Sequence, residues 1–180
     1  SKMFHADMRY KVENVLEIGV WVGLGLLTWA HWFPNAIIEG VDWKFQYQHK
    51  IKRLYDLKEQ ASNVERILLN WVDTSEREMV LKHFNPVKYN DYFDIIIDDG
   101  NHFSSCQKAT LINTWQYLKP GGWYCIEDIT DHYEQPVKLI EYLNELSDEG
   151  HSVGWFENPE SIRLDSRMVA IKKKGDIANV

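Results

Sequence analysis

The 180-residue chain contains only two cysteines, carries fewer basic than acidic residues, and has no long apolar segment. Cys106 and Cys125 fit neither a disulfide framework nor the spacing of a zinc site, so we interpret both as small core residues. No apolar run approaches the roughly 20 residues of a membrane span, and the N-terminal segment lacks the regions of a signal peptide. From the sequence we therefore expect a cytoplasmic protein that makes no contact with a membrane.

The shortage of positive charge bears on the choice of partner. The chain has 20 lysines and arginines against 27 aspartates and glutamates, a net charge of −7, whereas a nucleic-acid surface needs clustered basic side chains. The main basic run, Lys172 to Lys174, follows an apolar stretch and is interpreted as a solvated strand end. We therefore expect no nucleic-acid partner. Eight tryptophans and nine tyrosines are available for the core and for a pocket that takes a planar or sugar-like ligand.

Five short apolar runs that end on polar residues dominate the first 130 residues, and longer stretches with helical spacing separate them. The runs are NVLEIGV (14–20), AIIEGVD (36–42), ERILLNWVD (65–73), YFDIIIDD (92–99) and GGWYCIED (121–128). This alternation predicts one α/β domain over residues 1–180, with a doubly wound parallel sheet and helices on both faces. Two final strands are expected in HSVGWFEN and SRMVAIKKK, with a turn at Pro159 between them. Further turns are expected at Asn85-Pro86 and at Lys119 to Gly122.

The end of the first strand predicts one wall of a ligand crevice. Glu17 and Gly19 end the strand and Gly23 begins the next helix, where small residues allow a ligand to approach and the helix dipole favours an anion. A tight turn without a ligand is the alternative. Asp42 closes the second strand about 20 residues later, the placement of an acid that holds ribose hydroxyls, or else of a helix cap. Asp73, after the third strand, can accept from an adenine amino group or cap the next helix.

Four carboxylates, Asp98, Asp99, Glu127 and Asp128, end the fourth and fifth strands, which an open sheet brings to one edge. Converging carboxylates repel one another unless a cation neutralises them, and ligands that are all oxygen favour Mg²⁺ or Mn²⁺ over zinc. Successive strand residues point to opposite sides, so Asp98 and Asp99 cannot both face the cation unless the strand breaks at Gly100. Helix capping by these acids is the alternative.

His102 follows Asp99 by three residues, near the start of the next helix. Beside a metal, a neutral imidazole at this position can accept the proton of a reacting hydroxyl group. A histidine that caps the helix or orients a ligand is the alternative, because most lone histidines are structural. His132, after the fifth strand, is a weaker candidate on the same rim.

Together these residues resemble a known family. Glu17-x-Gly19-x-x-x-Gly23, Asp42, Asp73, DIIIDDGNH, LKPGG and YCIEDI are similar to class I S-adenosylmethionine-dependent methyltransferases. More narrowly, they resemble the metal-dependent sugar O-methyltransferases of macrolide biosynthesis, of the mycinamicin type, and their cephalosporin-tailoring relatives. The resemblance extends from about Val12 to Gly175. It implies a Rossmann-like sheet of seven strands that is mostly parallel and whose last strand is antiparallel.

The resemblance also implies roles for the site residues. The implied cofactor-binding residues are Glu17, Gly19, Gly23, Asp42, Asp73 and Asp98, the last of which faces the cofactor or braces its own loop. The implied metal ligands are Asp99, Glu127 and Asp128, and the implied catalytic residues are Asp99 and the general base His102. Asn101 stands where the family more commonly has serine.

The expected function is transfer of a methyl group from S-adenosylmethionine to a hydroxyl of a sugar or another small vicinal diol, with Mg²⁺ or Mn²⁺ as the second cofactor. Two rivals are left open. A catalytically silent module would bind the cofactor without turnover. A nicotinamide-dependent oxidoreductase would be expected to carry G-x-G-x-x-G and a Tyr-x-x-x-Lys set, both of which the sequence lacks. A homo-oligomer is also left open.

Overall fold

Strands and helices alternate along the chain. The computed structural model describes residues 9–43, 67–131, 134–157 and 167–175. The strands in these ranges are β1 (Asn14–Ile18), β2 (Ile37–Asp42), β3 (Ile67–Trp71), β4 (Phe93–Asp98), β5 (Leu118–Ile129), β6 (Ser152–Glu157) and β7 (Arg167–Lys172). The helices in the same ranges are α1 (Leu24–Trp32), α2 (Arg77–His83), α3 (Pro86–Tyr89), α4 (Ser104–Thr114) and α5 (Val137–Asp148), with a 3₁₀ turn at Trp115–Tyr117.

Within the described ranges the seven strands form one sheet in the order β3-β2-β1-β4-β5-β7-β6. β1 pairs in parallel with β2 and β4, β3 extends this parallel part beside β2, and β5 extends it beside β4. β7 pairs antiparallel with both β5 and β6. The predicted fold class, a doubly wound and mostly parallel sheet with an antiparallel last strand, is confirmed. Because the winding reverses between β1 and β4, the loops after these strands meet at the switch point where open α/β sheets bind ligands.

Alternate strand side chains fill two hydrophobic cores, one on each side of the sheet. Leu16 of β1 is buried in a core with Leu111 of α4 and Leu143 of α5, on the side we call the α4 face. The preceding residue, Val15, is buried with Leu26 of α1 in the other core, on the side we call the α1 face. Helices therefore cover both faces of the sheet, as predicted, and the residue parity along each strand determines which face a side chain reaches.

The predicted turn at Lys119 to Gly122 is wrong. These residues lie within β5, which runs from Leu118 to Ile129. The strand is irregular there, because its pairing with β4 shifts register and Gly121 has φ of 79°. Glycine adopts this left-handed backbone at little cost, so the change of register occurs within the strand rather than in a turn before it.

The predicted turn at Asn85-Pro86 is instead the start of helix α3. Proline suits the first helical position, and the Asn85 side chain accepts a hydrogen bond from the Val87 amide. The expected turn at Pro159 lies outside the described residues. No helix in the described ranges is long and apolar enough to cross a membrane. That residues 1–180 form a single domain stays a prediction.

Candidate cofactor and metal site

A cavity of about 880 Å³ lies at the carboxyl edge of the sheet. The first five strands each contribute a residue at or just beyond their end, namely Gly19, Asp42, Asp73, Asp99 and Asp128. His102 lines the same cavity, whereas the described lining does not include Glu17, Gly23, Asp98 or Glu127. The polar strand ends therefore converge in one crevice, as the sequence predicted, with some of the predicted residues lying behind its wall.

The turn after β1 is held in a conformation that needs glycine. Gly19 and Gly23 have φ of 88° and 80°. A Cβ atom on Gly19 would lie 2.1 Å from the carbonyl oxygen of Asp99, so the loops after β1 and β4 are in direct backbone contact. The Asp99 amide in turn donates to the Ile18 carbonyl at 2.9 Å. Any larger residue at Gly19 would separate the two loops that form the switch point.

Asp42 braces this turn from the end of β2. Its Oδ2 atom accepts hydrogen bonds from the amides of Val20 at 3.0 Å and Trp21 at 3.1 Å. Trp21 has φ of 44°, a left-handed conformation that is uncommon for a residue with a bulky side chain and needs such support. A role of Asp42 in binding ribose hydroxyls stays a prediction. The observed hydrogen bonds show that the same carboxylate also stabilises the turn after β1.

Asp73 organises the loop after β3. Its Oδ1 atom accepts from the Ser75 amide at 3.0 Å and from the Ser75 hydroxyl at 2.6 Å, which closes a local turn. The residue that precedes α2 is Glu76, so Asp73 does not cap this helix directly. Contact with an adenine amino group stays a prediction for this cavity-lining side chain.

Glu17 is buried behind the turn on the α1 face. Its side chain lies so close to α1 that a Cβ atom on Gly25 would collide with Oε1, and Oε2 has no hydrogen-bond partner among the described residues. Burial, followed by the charges of Asp99 and Glu127, raises the pKa of Glu17 to about 8. Without a cationic ligand nearby, this carboxyl group is therefore mostly protonated at neutral pH.

Asp98 and Asp99 point to different sides, as strand alternation predicted. Asp98 shares the α4 face with Ile96 and is only 2% exposed. Its Oδ1 atom accepts from the Gly100 amide at 3.2 Å, which matches the predicted loop-bracing alternative, and its Oδ2 atom has no partner among the described residues. Burial raises the pKa of Asp98 to about 7.

Asp99, His102 and Asp128 come together at the cavity wall. One potential ligand atom from each lies within 4.8 Å of those of the other two. Nε2 of His102 is 3.6 Å from Oδ1 of Asp99, and Nδ1 is 3.8 Å from Oδ2 of Asp128. Glu127, the third predicted metal ligand, is absent from this group of described residues. Two of the three predicted ligands are thus assembled, with the predicted base between them.

The electrostatics of this cluster reflect the crowding of negative charge. Burial, then the carboxylates of Asp99 and Asp128, raise the pKa of Glu127 to about 7. The Asp99 carboxylate also raises the pKa of the His102 imidazole, against the opposing effect of burial, and Asp128 raises it further. Both shifts favour the less negative state of the group, as expected where acidic side chains lie close together.

The donor set fits a divalent cation. Carboxylates of β5 and of the loop after β4 surround one imidazole, while the described lining of the cavity contains no lysine or arginine. Carboxylate oxygens are the ligands that Mg²⁺ and Mn²⁺ prefer, and an added double charge would remove the repulsion between carboxylates that, in addition to burial, raises the pKa of Glu127.

A bulge in β5 lies at Glu127 and Asp128, and of the two only Asp128 is in the described lining of the cavity. Pairing with β7 runs from Ile126 to a break and resumes at Ile129, and Asp128 has φ of 50°. In a regular strand Glu127 and Asp128 would point to opposite faces, so the bulge re-aims one of them. The signal in the sequence for this break in alternation is the tolerance of aspartate for left-handed backbone, which the expectation for Glu127 and Asp128 did not use.

Three aromatic side chains, Trp21, Trp43 and Phe103, line the cavity and are 64%, 61% and 46% exposed. The composition indicated that some aromatic residues would serve a pocket, but it did not identify which. Single exposed aromatic residues are common on protein surfaces, whereas three around one polar cavity are typical of a ligand site.

The remaining candidates lie elsewhere. His132 falls outside the described residues. Cys106 is partly buried and Cys125 is buried, both are free thiols, and burial raises the pKa of each. Cys125 lies in the core on the α1 face, as interpreted, whereas Cys106 is only partly buried and belongs to neither of the two described cores.

The strand order and the glycine turn at the switch point define an α/β protein of Rossmann-like methyltransferase architecture. The chain belongs to the methyltransferase domain family, whose sequence profile matches residues 16–129. The matched segment runs from β1 to the end of β5, so it contains every predicted cofactor, metal and catalytic residue.

The similar proteins include sugar O-methyltransferases. Mycinamicin VI 2''-O-methyltransferase of Micromonospora griseorubida is 27% identical over 134 residues, which cover 71% of this chain and 30% of the relative. L-olivosyl-oleandolide 3-O-methyltransferase of Streptomyces antibioticus is 28% identical over 134 residues, covering 70% and 30% of the two chains.

A solved structure gives the same comparison at the level of fold. The MycE methyltransferase from the mycinamycin biosynthetic pathway, in complex with Mg, SAH and mycinamycin VI, matches with a TM-score of 0.66 at 23% identity. The match covers 97% of this chain and 49% of MycE. The chain thus spans about half of MycE and about 30% of the length of the curated relatives.

Proposed function

We propose that this chain is an S-adenosylmethionine-dependent O-methyltransferase that uses Mg²⁺ or Mn²⁺ and acts on a hydroxyl group of a sugar or another small vicinal diol. The observation that carries the proposal is the cluster of Asp99, His102 and Asp128 beside the glycine turn. The names of the similar sugar O-methyltransferases support the same chemistry.

The turn after β1 and the acids of β2 and β3 suit a cofactor that carries an adenosine. Asp42 and Asp73 line the same cavity as Gly19, where Asp42 would accept from ribose hydroxyls and Asp73 from the adenine amino group. S-adenosylmethionine, when bound, supplies the methyl group on a positively charged sulfonium. A cavity rich in carboxylates favours a cationic cofactor by simple charge complementarity.

Asp99 and Asp128 are proposed to hold the cation, and Glu127 is proposed as a third carboxylate ligand. A divalent cation, when bound, lowers the pKa of an acceptor hydroxyl group and balances the negative charge of the site. The bulge at Asp128 and the loop contact at Asp99 fix these carboxylates on opposite sides of the imidazole. Two oxygens of a vicinal diol are the acceptor groups that such a cation would orient.

His102 is proposed to accept the proton that the acceptor hydroxyl loses as its oxygen bonds to the methyl carbon. The flanking carboxylates of Asp99 and Asp128 would stabilise the imidazolium that results. The distances of 3.6 and 3.8 Å also allow His102 to serve as a third cation ligand. Metal affinity and turnover of a His102 variant separate these two roles.

The acceptor class is supported by the aromatic lining. Trp21 and Phe103 present apolar ring surface in the cavity that contains the acids. Such surfaces complement the apolar face of a sugar ring, while the cation would recognise its hydroxyl groups. A volume of about 880 Å³ lies in the upper part of the range for ligand pockets, which leaves room for an acceptor beside the cofactor. We propose no nucleic-acid partner, and homo-oligomer formation is left open.

Calorimetric titration of EDTA-treated protein tests the proposal. Saturable binding of S-adenosylmethionine and S-adenosylhomocysteine is expected, together with a separate Mg²⁺-binding event. Asp99→Asn should weaken Mg²⁺ binding by at least about 100-fold, since it removes a ligand charge. Asp91→Asn, at a surface ion pair with Lys173, is the matched control and should bind Mg²⁺ normally.

Each rival predicts a different outcome. An oxidoreductase would bind NAD(H) in place of S-adenosylmethionine. A silent module would bind the cofactor but consume none of it with any member of a panel of sugar and diol acceptors. Failure to bind S-adenosylmethionine and S-adenosylhomocysteine would contradict the proposed cofactor site.

A further inference from the structure

The bulge in β5 contains Asp128, which forms a cluster with Asp99 and His102 that we call the acid cluster. The bulge has a conformational cost. Ile126 pairs with Val169 of β7 and Ile129 pairs with Arg167, so Glu127 and Asp128 together oppose a single residue. A non-glycine residue in left-handed backbone is strained and persists when its surroundings hold it. The φ of 50° at Asp128 therefore calls for a specific contact nearby.

Gln107 supplies that contact from α4. Its Nε2 atom donates to the backbone carbonyl of Glu127 at 2.9 Å, at the peptide that directly precedes Asp128. Gln107 is 1% exposed, and its Oε1 atom has no hydrogen-bond partner among the described residues. A buried amide with an unsatisfied acceptor is costly, so the hydrogen bond to the bulge is the contact that offsets part of this cost.

The position of Gln107 along the chain links the two halves of the cluster. α4 begins at Ser104, two residues after His102, and Gln107 lies in its first turn. The helix that begins two residues after His102 therefore also holds the backbone of Glu127 through a side chain.

We propose that Gln107 is a positioning residue, which clamps the β5 bulge so that Asp128 faces the cation site beside His102. The inference rests on the proposed metal site and deepens it, since Gln107 itself touches neither cation nor acceptor. The readout that separates it from a merely structural residue is metal affinity, measured without turnover.

Asn113 provides a matched control on the same helix. Its Nδ2 atom donates to the backbone carbonyls of Thr74 and Ser75, both at 3.1 Å, and it too is buried. Like Gln107, it is an α4 amide that holds a loop of the cavity by its backbone. That loop follows β3, on the side of Asp73 rather than on the side of the acid cluster.

The experiment compares Gln107→Met with Asn113→Leu, two nearly isosteric replacements that remove the amide. Mn²⁺ and Mg²⁺ affinities are measured by calorimetry, and unfolding is measured in EDTA to record the metal-independent loss of stability. Removing a residue that orients metal ligands typically lowers metal affinity by about 10- to 100-fold. We expect this loss for Gln107→Met and unchanged metal affinity for Asn113→Leu. Gln107→Asn, which keeps an amide that is one methylene too short, should give an intermediate loss if Gln107→Met does not fold.

The outcomes are separable. If the wild-type chain binds neither metal, the proposed function fails before any variant is compared. If the wild-type chain binds metal and the Gln107 variants bind it equally well, the positioning role is wrong. Equal weakening by Asn113→Leu would also overturn it, because the effect would then come from general loosening of α4.

Discussion

The carboxylates of the two walls of the crevice differ in their hydrogen bonding and in their pKa values. The turn wall consists of Gly19 to Gly23 with Asp42 and Asp73, and each of its aspartates accepts two hydrogen bonds from neighbouring groups. The acid wall consists of Asp99, His102 and Asp128, which line the cavity, together with the neighbouring acids Asp98 and Glu127, which lie outside the described lining. In the acid wall Asp98 keeps an oxygen without a partner among the described residues, and the pKa values of Asp98 and Glu127 rise to about 7.

This difference indicates which wall is complete without a ligand. Hydrogen bonds to Asp42 and Asp73 stabilise the turn wall in the ligand-free chain, so its shape is ready for a cofactor. The acid wall carries mutual repulsion that only protons or a cation can relieve. Glu17 lies on β1 behind the turn wall, and its pKa is raised first by burial and then by the charges of Asp99 and Glu127, so it is coupled electrostatically to the acid wall.

Removing the imidazole is the strongest way to break the acid wall. His102→Ala should lower turnover by roughly 10²–10⁴, the usual contribution of a general base. S-adenosylhomocysteine affinity, measured by calorimetry, should stay unchanged because the turn wall is intact. His151→Gln is a suitable control, since His151 contacts Trp115 away from the cavity.

The same variant distinguishes the two roles of His102. A large loss of Mg²⁺ affinity alongside the loss of rate would identify His102 as a ligand. Intact Mg²⁺ affinity with slow turnover supports the general base. Wild-type turnover would place the base elsewhere in the protein.

Neutralising Glu17 tests whether the acid wall extends behind β1. The pKa of Glu17 is about 8 in the folded chain, against 4.5 for a solvated glutamate, so the folded state binds more protons between these values. The ligand-free chain should therefore lose stability as pH rises from 4.5 through 8. Glu17→Gln removes this loss and should stabilise the metal-free protein at about pH 8 by roughly 2–4 kcal/mol.

Denaturant unfolding in EDTA at about pH 5 and about pH 8 measures this effect. The free energy of unfolding should fall between the two pH values more steeply for the wild type than for Glu17→Gln. Parallel pH dependence of the two proteins would contradict the shifted pKa and leave Glu17 out of the acid wall.

Asp42 tests the turn wall. Asp42→Ala leaves the Val20 and Trp21 amides without their acceptor and removes the proposed ribose partner, so S-adenosylhomocysteine affinity should weaken by roughly 1–3 kcal/mol. Asp42→Asn keeps an oxygen that can accept from the two amides, so it should weaken S-adenosylhomocysteine affinity less. Calorimetry measures both variants. Unchanged affinity in Asp42→Ala would remove Asp42 from the cofactor site.

The turn wall and the ends of the strands could be predicted from the sequence because their signals are local. Apolar runs ending on Gly19, Asp42 and Asp99 indicate strands, and a parallel sheet brings strand ends to one edge. Alternation also predicted that Asp98 and Asp99 would reach different faces. These features depend on residue order along one element.

The acid wall could be predicted only in part, since it depends on contacts between elements. The bulge at Asp128 arises from the pairing of β5 with β7. In the sequence Gln107 is indistinguishable from any other polar helix residue, and its role depends on the contact between α4 and β5. The double task of Asp42 likewise requires the turn and β2 to be adjacent. No local pattern in the sequence specifies such pairings.

Trp21 gives the smallest expected effect and tests where the acceptor meets the turn wall. Its ring is 64% exposed in the cavity, while its backbone is held by Asp42. Loss of an aromatic contact is worth roughly 0.5–1.5 kcal/mol, so Trp21→Ala should raise the acceptor KM by about 2- to 12-fold with kcat little changed. Trp155→Ala, an exposed tryptophan on β6 outside the cavity lining, should leave KM unaltered. A weakened S-adenosylhomocysteine affinity with normal acceptor KM would instead assign Trp21 to the cofactor, and the turn wall would then serve one ligand alone.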